Sequence, residues 1–132
     1  MAAPRATFRK QERLTGRDAI NTVIRSGTSV TVTPFRLVGV LTQRPSTAPV
    51  QVAFAVPKRH VRHATDRNRI RRQMREAYRL NKETWYGDLR AAGVRCHWLL
   101  ICQTGKAMPY AEVQERLSAV VQRWMNKHLP TA

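Results

Sequence analysis

Hydrophobic and polar positions along this chain repeat with different periods in different stretches. From Pro49 the run PVQVAFAVPK alternates, placing Val50, Val52, Phe54 and Val56 on one face and small or polar residues on the other, which predicts a strand. The β-branched stretch TSVTVTPFRLVGVLTQ predicts two strand segments, residues 29–33 and 35–43, joined by an irregularity at Pro34 and closed by a reversing RPSTAP turn. RCHWLLICQ is apolar on both faces and is expected at the centre of the sheet. Helical spacing appears elsewhere. Ile20, Val23 and Ile24 predict a short first helix, capped by Thr15, with Asp18 at its positive end and Gly27 as its stop. Val113, Leu117, Val120, Val121, Trp124 and Met125 mark one face of a last helix over residues 110–128 that packs on the sheet.

The segment TDRNRIRRQMREAYR carries the most unusual pattern. At about 100° per residue, Ile70, Met74, Ala77 and Tyr78 share one arc, with Tyr78 at its border, and form the buried face. Arg67, Arg71, Arg75, Arg79 and Arg72 follow round the adjoining arc, with Asn68 among them. Thr65 or Asp66 is placed to cap this helix, and NKETWYGDLRAAG continues it to Gly93. The order of elements is therefore helix, three strands, helix, strand, helix. That order predicts a single-domain α+β sandwich with a sheet of about four strands.

Charge changes the picture more than any other property. The 132 residues hold 24 Lys plus Arg against 8 Asp plus Glu, a net charge of +16 that implies a polyanionic partner. Arginine predominates, and its planar fork suits phosphate and bases, so nucleic acid is favoured over an anionic membrane. Residues 58–79 carry nine of the 24 basic residues, facing only Asp66 and Glu76. Like charges at i,i+4 destabilise a helix, so a stripe of guanidinium groups calls for external anions. A merely solvated basic face is the alternative. Hydrophobic residues make up 42% of the chain, enough for one modest core. No apolar run reaches the length of a membrane span, and the start lacks an apolar signal segment, so an intracellular, cytoplasmic protein is expected. Cys96 and Cys102, in one strand, lie too far apart for a disulfide and are expected as reduced core thiols.

The residues AFAVPKRHVRHATDRNRIRRQMREAYR resemble the signature of the protein subunit of bacterial ribonuclease P: a strand, Lys-Arg, a loop, Arg-Asn-Arg, then IRR and REAYR. FRKQERL and IRSGTSVTVTPFRL resemble that family's opening, so the resemblance spans roughly residues 7–128. It implies a left-handed strand-helix-strand crossover, against the general rule of handedness. It also implies that the protein assists a catalytic RNA, which holds the magnesium ions (Mg2+) and removes the 5′ leader of precursor tRNA. Carried over by position, Lys58, Arg59, Arg67, Asn68, Arg69, Arg71, Arg72, Arg75 and Arg79 would contact the catalytic RNA. The leader would lie in a cleft between this helix and the sheet, with Phe8, Phe35 and Tyr78 as candidate contacts. A single RNA-binding domain, monomeric without RNA and with flexible residues 1–7 and 129–132, is the implied organisation.

The chain departs from that pattern in two places. Ile20 and Ile24 stand where many members carry Phe, and they can pack but not stack on a base. The loop KRHVRHATD lacks the family's glycine; its His60 and His63 make a weak metal pair without a carboxylate or thiol beside them. The acids are dispersed, and no catalytic residue or metal site of the protein's own is expected. The rival readings are a general RNA-binding domain of ribosomal or tRNA-binding type, a DNA-binding regulator using the arginine helix in the major groove, and a peripheral membrane protein.

Overall fold

A computed structural model describes residues 8–43 and 47–129. A 3-10 turn at Lys10–Glu12 leads to α1 (Arg17–Ser26), β1 (Thr28–Val32), β2 (Phe35–Thr42), β3 (Val50–Ala55), α2 (Ala64–Ala92), β4 (Arg95–Cys102) and α3 (Tyr110–His128). The sheet order is β1-β2-β4-β3. β1 and β2 form a hairpin, Val32 opposite Phe35, so Pro34, preceded by a cis peptide bond, turns the chain back on itself. β4 runs antiparallel to β2 and parallel to β3. Its central place explains why it is apolar on both faces. The parallel pair requires a crossover, and α2 provides it.

Strand alternation divides the core between the two faces of the sheet. Phe35, Leu37, Val50, Val52, Trp98 and Leu100 face α2 and α3, while Val38, Leu99, Ala53, Ala55 and Ile101 face α1. Gly39 lies on the first face, where an added Cβ would come within 2.6 Å of the Trp124 ring and 2.7 Å of Trp98. The two indoles meet edge to face at 5.6 Å in the space it leaves. Both sheet edges are occupied. Leu14 N–H donates to Val52 O (2.9 Å) beside β3, and on β1 the side chains of Arg123 and Trp124 donate to Thr31 O and Thr28 O.

Several helix ends differ from the sequence expectation. α1 starts at Arg17 after Gly16, whose φ of 96° is open to glycine, and Thr15 does not cap it. α2 starts at Ala64, so Thr65 and Asp66 lie inside its first turn and neither caps it. The arginine periodicity resumes one turn after the real start, which hid it. Gly93, at φ 70°, closes α2 as expected: its N–H reaches Arg90 O and that of Val94 reaches Leu89 O, both at 3.1 Å, in a Schellman ending. Residues 1–7 and 130–132, expected to be flexible, and residues 44–46 of the reversing turn lie outside the described residues. Leu129, grouped with the flexible end, is held by its N–H to Met125 O at 2.8 Å.

Candidate nucleic-acid interface

The buried face of α2 begins with Ile70, Met74, Ala77 and Tyr78, as the helical wheel required. Their burial fixes the rotation of the helix and so aims every arginine on it. Arg72 and Arg75 are exposed, and among the described residues neither has a hydrogen-bond or ion-pair partner. Other arginines of this half of α2 are partly engaged by their own helix. Arg79 holds Glu76 (Nε–Oε2 3.0 Å), and that hydrogen bond lowers the Glu76 carboxyl below its ordinary range. Arg69 lies 3.7 Å from Asp66, and Arg71 Nη2 donates to Asn68 Oδ1 at 2.7 Å. Exposed pairs of this kind add little stability, but they take up the helix's two acids in this stretch.

Arg67 differs from the rest. Its Nη1 donates to Val61 O at 3.0 Å and to Arg62 O at 2.8 Å, so its head group turns toward the preceding loop. The expectation that it lies on the adjoining arc fails: at about 100° per residue it falls between Met74 and Tyr78, inside the buried arc, and that angle was the available signal. The loop itself presents Lys58, Arg59 and Arg62 to solvent. Arg62 was not singled out from the sequence, since the signature specifies the Lys-Arg pair and no basic residue in the loop after it.

About three turns beyond Arg71 and Arg75, the same side of α2 carries Lys82 and Tyr86, yet both are buried. The N-terminal segment covers them. Lys82 Nζ meets Glu12 Oε1 at 2.6 Å, and Tyr86 and Tyr78 share a 2.7 Å hydrogen bond between hydroxyls. On this side of α2 the exposed stripe therefore ends where this segment lies down, in the first half of the helix.

The aromatic leader candidates do not line an open cleft between α2 and the sheet. Phe35 and Tyr78 are 1% and 0% exposed and offer no ring face to a base. Both are on inward faces of their elements, and α2 packs directly on β3 and β4. Phe8 is half-buried and meets Phe54 and Tyr78 edge-on at 5.7 and 5.9 Å, with the Arg13 guanidinium 5.7 Å from its ring centre. The more open ground is the opposite sheet face, where Ala53, Ala55 and Ile101 are only partly covered by α1. A recess of about 280 Å3 there is lined by Asp18, Thr22, Val40 and His97 among others. Ile20 packs at the edge of this face, whereas Ile24 is 56% exposed.

Among the described residues no three His, Cys, Asp or Glu side chains come together. None of the described helices is long and apolar enough to cross a membrane.

Comparison with known proteins bears on the whole arrangement. A family model described as ribonuclease P matches residues 8–125. The chain is 45% identical over 84 residues to the ribonuclease P protein component of Porphyromonas gingivalis, covering 62% of this chain and 61% of that protein. It thus spans about three fifths of that relative's length. A shorter stretch of 34 residues is 62% identical to the ribonuclease P protein component of Chlorobium phaeobacteroides, covering 26% of this chain and 23% of that one. The backbone superposes on the RNase P protein of Staphylococcus aureus with a TM-score of 0.67 at 19% identity, over 85% of this chain and 94% of that one. For the RNase P protein of Thermotoga maritima the TM-score is 0.66 at 20% identity, over 85% and 96%. Those two likenesses establish the α+β fold with its four-stranded mixed sheet.

Proposed function

The chain belongs to the ribonuclease P protein family, and from that premise we propose that it is the protein component of a ribonuclease P ribonucleoprotein. In this reading it binds the catalytic RNA and the 5′ leader of precursor tRNA, and assists RNA-catalysed hydrolysis that leaves the mature tRNA 5′ end. The observation that carries the reading is the row of exposed cations, Arg72 and Arg75 on α2 with Lys58, Arg59 and Arg62 on the loop, that face solvent beside acids already held by other arginines. Phosphates neutralise such a row and release counterions as they do so. Arg71, Arg69 and Arg79 stand at its margins, and Asn68 keeps an amide donor for a base or ribose.

The protein supplies placement and charge, not chemistry. In this reading the magnesium ions are carried by the RNA, where they would supply an activated water and stabilise the leaving oxygen. The single-stranded leader lies along the α1-side face of the sheet, whose small residues Ala53 and Ala55 admit a backbone close to the basic loop. The free protein is a monomer in this reading.

Reconstitution tests the proposal. Added to a bacterial ribonuclease P RNA with precursor tRNA at limiting magnesium, the protein is expected to stimulate release of the 5′ leader. RNA binding without stimulation would instead favour a general RNA-binding domain, and preference for duplex DNA would favour a regulator.

A further inference from the structure

We propose that Arg67, the first residue of the Arg-Asn-Arg motif, is a positioning residue that ties the basic loop to α2, and that its effect on RNA runs through Lys58, Arg59 and Arg62. The inference rests on the proposed RNA-binding function and assigns this arginine a different task from its neighbours.

The loop of residues 57–63 has few restraints of its own. Pro57 O accepts the N–H groups of His60 and Val61, both at 3.1 Å, forming a single turn, and Val61 is the one loop side chain sunk in the core. Gly105, from the connection after β4, lies against the same point: an added Cβ would sit 3.4 Å from His60 O and from the Val61 side chain. Beyond Val61 the chain must turn into α2, and the carbonyls of Val61 and Arg62 precede the helix, outside its ladder. Both are taken by one nitrogen, Arg67 Nη1, at 3.0 and 2.8 Å. A charged donor on two carbonyls is a stronger tether than neutral turn bonds. It spans the junction from the helix side, so the direction of Arg62, and through the turn that of Lys58 and Arg59, depends on it. Arg72 and Arg75, one and two turns further on, have no such tie among the described residues. They are suited to contact phosphate directly.

Two measurements decide the matter. In the free protein, Arg67→Ala should speed amide hydrogen exchange at His60 and Val61 by roughly tenfold or more, while Arg72→Ala leaves them unchanged. For binding to a bacterial ribonuclease P RNA, Arg67→Ala should weaken affinity about tenfold in the native loop. It should do so by less than about twofold when Lys58, Arg59 and Arg62 are already alanine, because independent contacts would multiply instead. Thermal unfolding checks that each variant is folded, and Arg67→Lys, which keeps the charge but not the planar fork, serves as a second variant in the same cycle. Unchanged exchange, or losses that multiply across the cycle, would overturn the proposal and make Arg67 a phosphate ligand. Wild-type protein that leaves the RNA unbound would remove the function on which the proposal rests, and is recognised before any variant is compared.

Discussion

Cys96 lies on the α2-facing side of β4, 1% exposed, and burial pushes its thiol up to about 12. Burial also raises Cys102, offset in part by its contact with Thr104 O. Thiolate is the reactive form, so at pH 8 iodoacetamide should modify native protein at least roughly a hundredfold more slowly than urea-unfolded protein, and rapid native labelling would contradict this burial. The sign of the linked stability follows. The unfolded thiol ionises first, near its ordinary value of about 8.5, so this contribution is complete below that pH and is lost as pH rises toward about 12. The cysteines were readable from sequence because a strand apolar on both faces leaves its thiols little water. Phe35 and Tyr78 were not: an aromatic residue at a strand start or at the edge of a helical arc has the same pattern whether its ring stacks on a base or fills a core. Only packing distinguishes the two, and both rings are sealed in the core between the sheet and the helices.

At the scale of elements, α2 is a long rod whose two halves meet different surroundings. Its first half rests on the sheet and leaves its arginines in water, and its second half is covered by the N-terminal segment through Glu12 and Lys82. Removing one partner of a buried ion pair leaves the other charge uncompensated. Lys82→Met is therefore expected to destabilise the fold by about 3–5 kcal/mol, and adding Glu12→Leu should recover much of that loss in denaturant titrations. A loss below about 1 kcal/mol for Lys82→Met would show the pair to be solvated. The existence and extent of α2, β4 and α3 were legible because their apolar periods are long and unbroken. Helix starts were less so, since α1 opens on the backbone freedom of Gly16 and α2 on His63, neither with a capping side chain. The Glu12–Lys82 pair, joining residues far apart in the chain, left no trace in any local pattern.

For the whole molecule, the fold places its charge unevenly. The sheet order sends β3 to one edge, α2 crosses back from it, and the loop between them gathers with the first half of the helix into one basic end. The motif revealed this region without coordinates, because charge spacing on a helix survives translation into structure. Division of labour within it did not show, since Arg67 and Arg72 are alike in sequence and differ only in what lies within reach. The most direct measurement is the salt dependence of binding to a bacterial ribonuclease P RNA. Five phosphate contacts predict a log–log slope of roughly −3.5 to −4.5, and the Arg72→Ala/Arg75→Ala double variant should flatten it by about 1.4–1.8. The exposed pair Arg95→Ala/Lys127→Ala, away from the motif, should leave it unchanged. An unaltered slope in the first double variant, or an equal loss in the second, would contradict a localised interface on α2 and its loop.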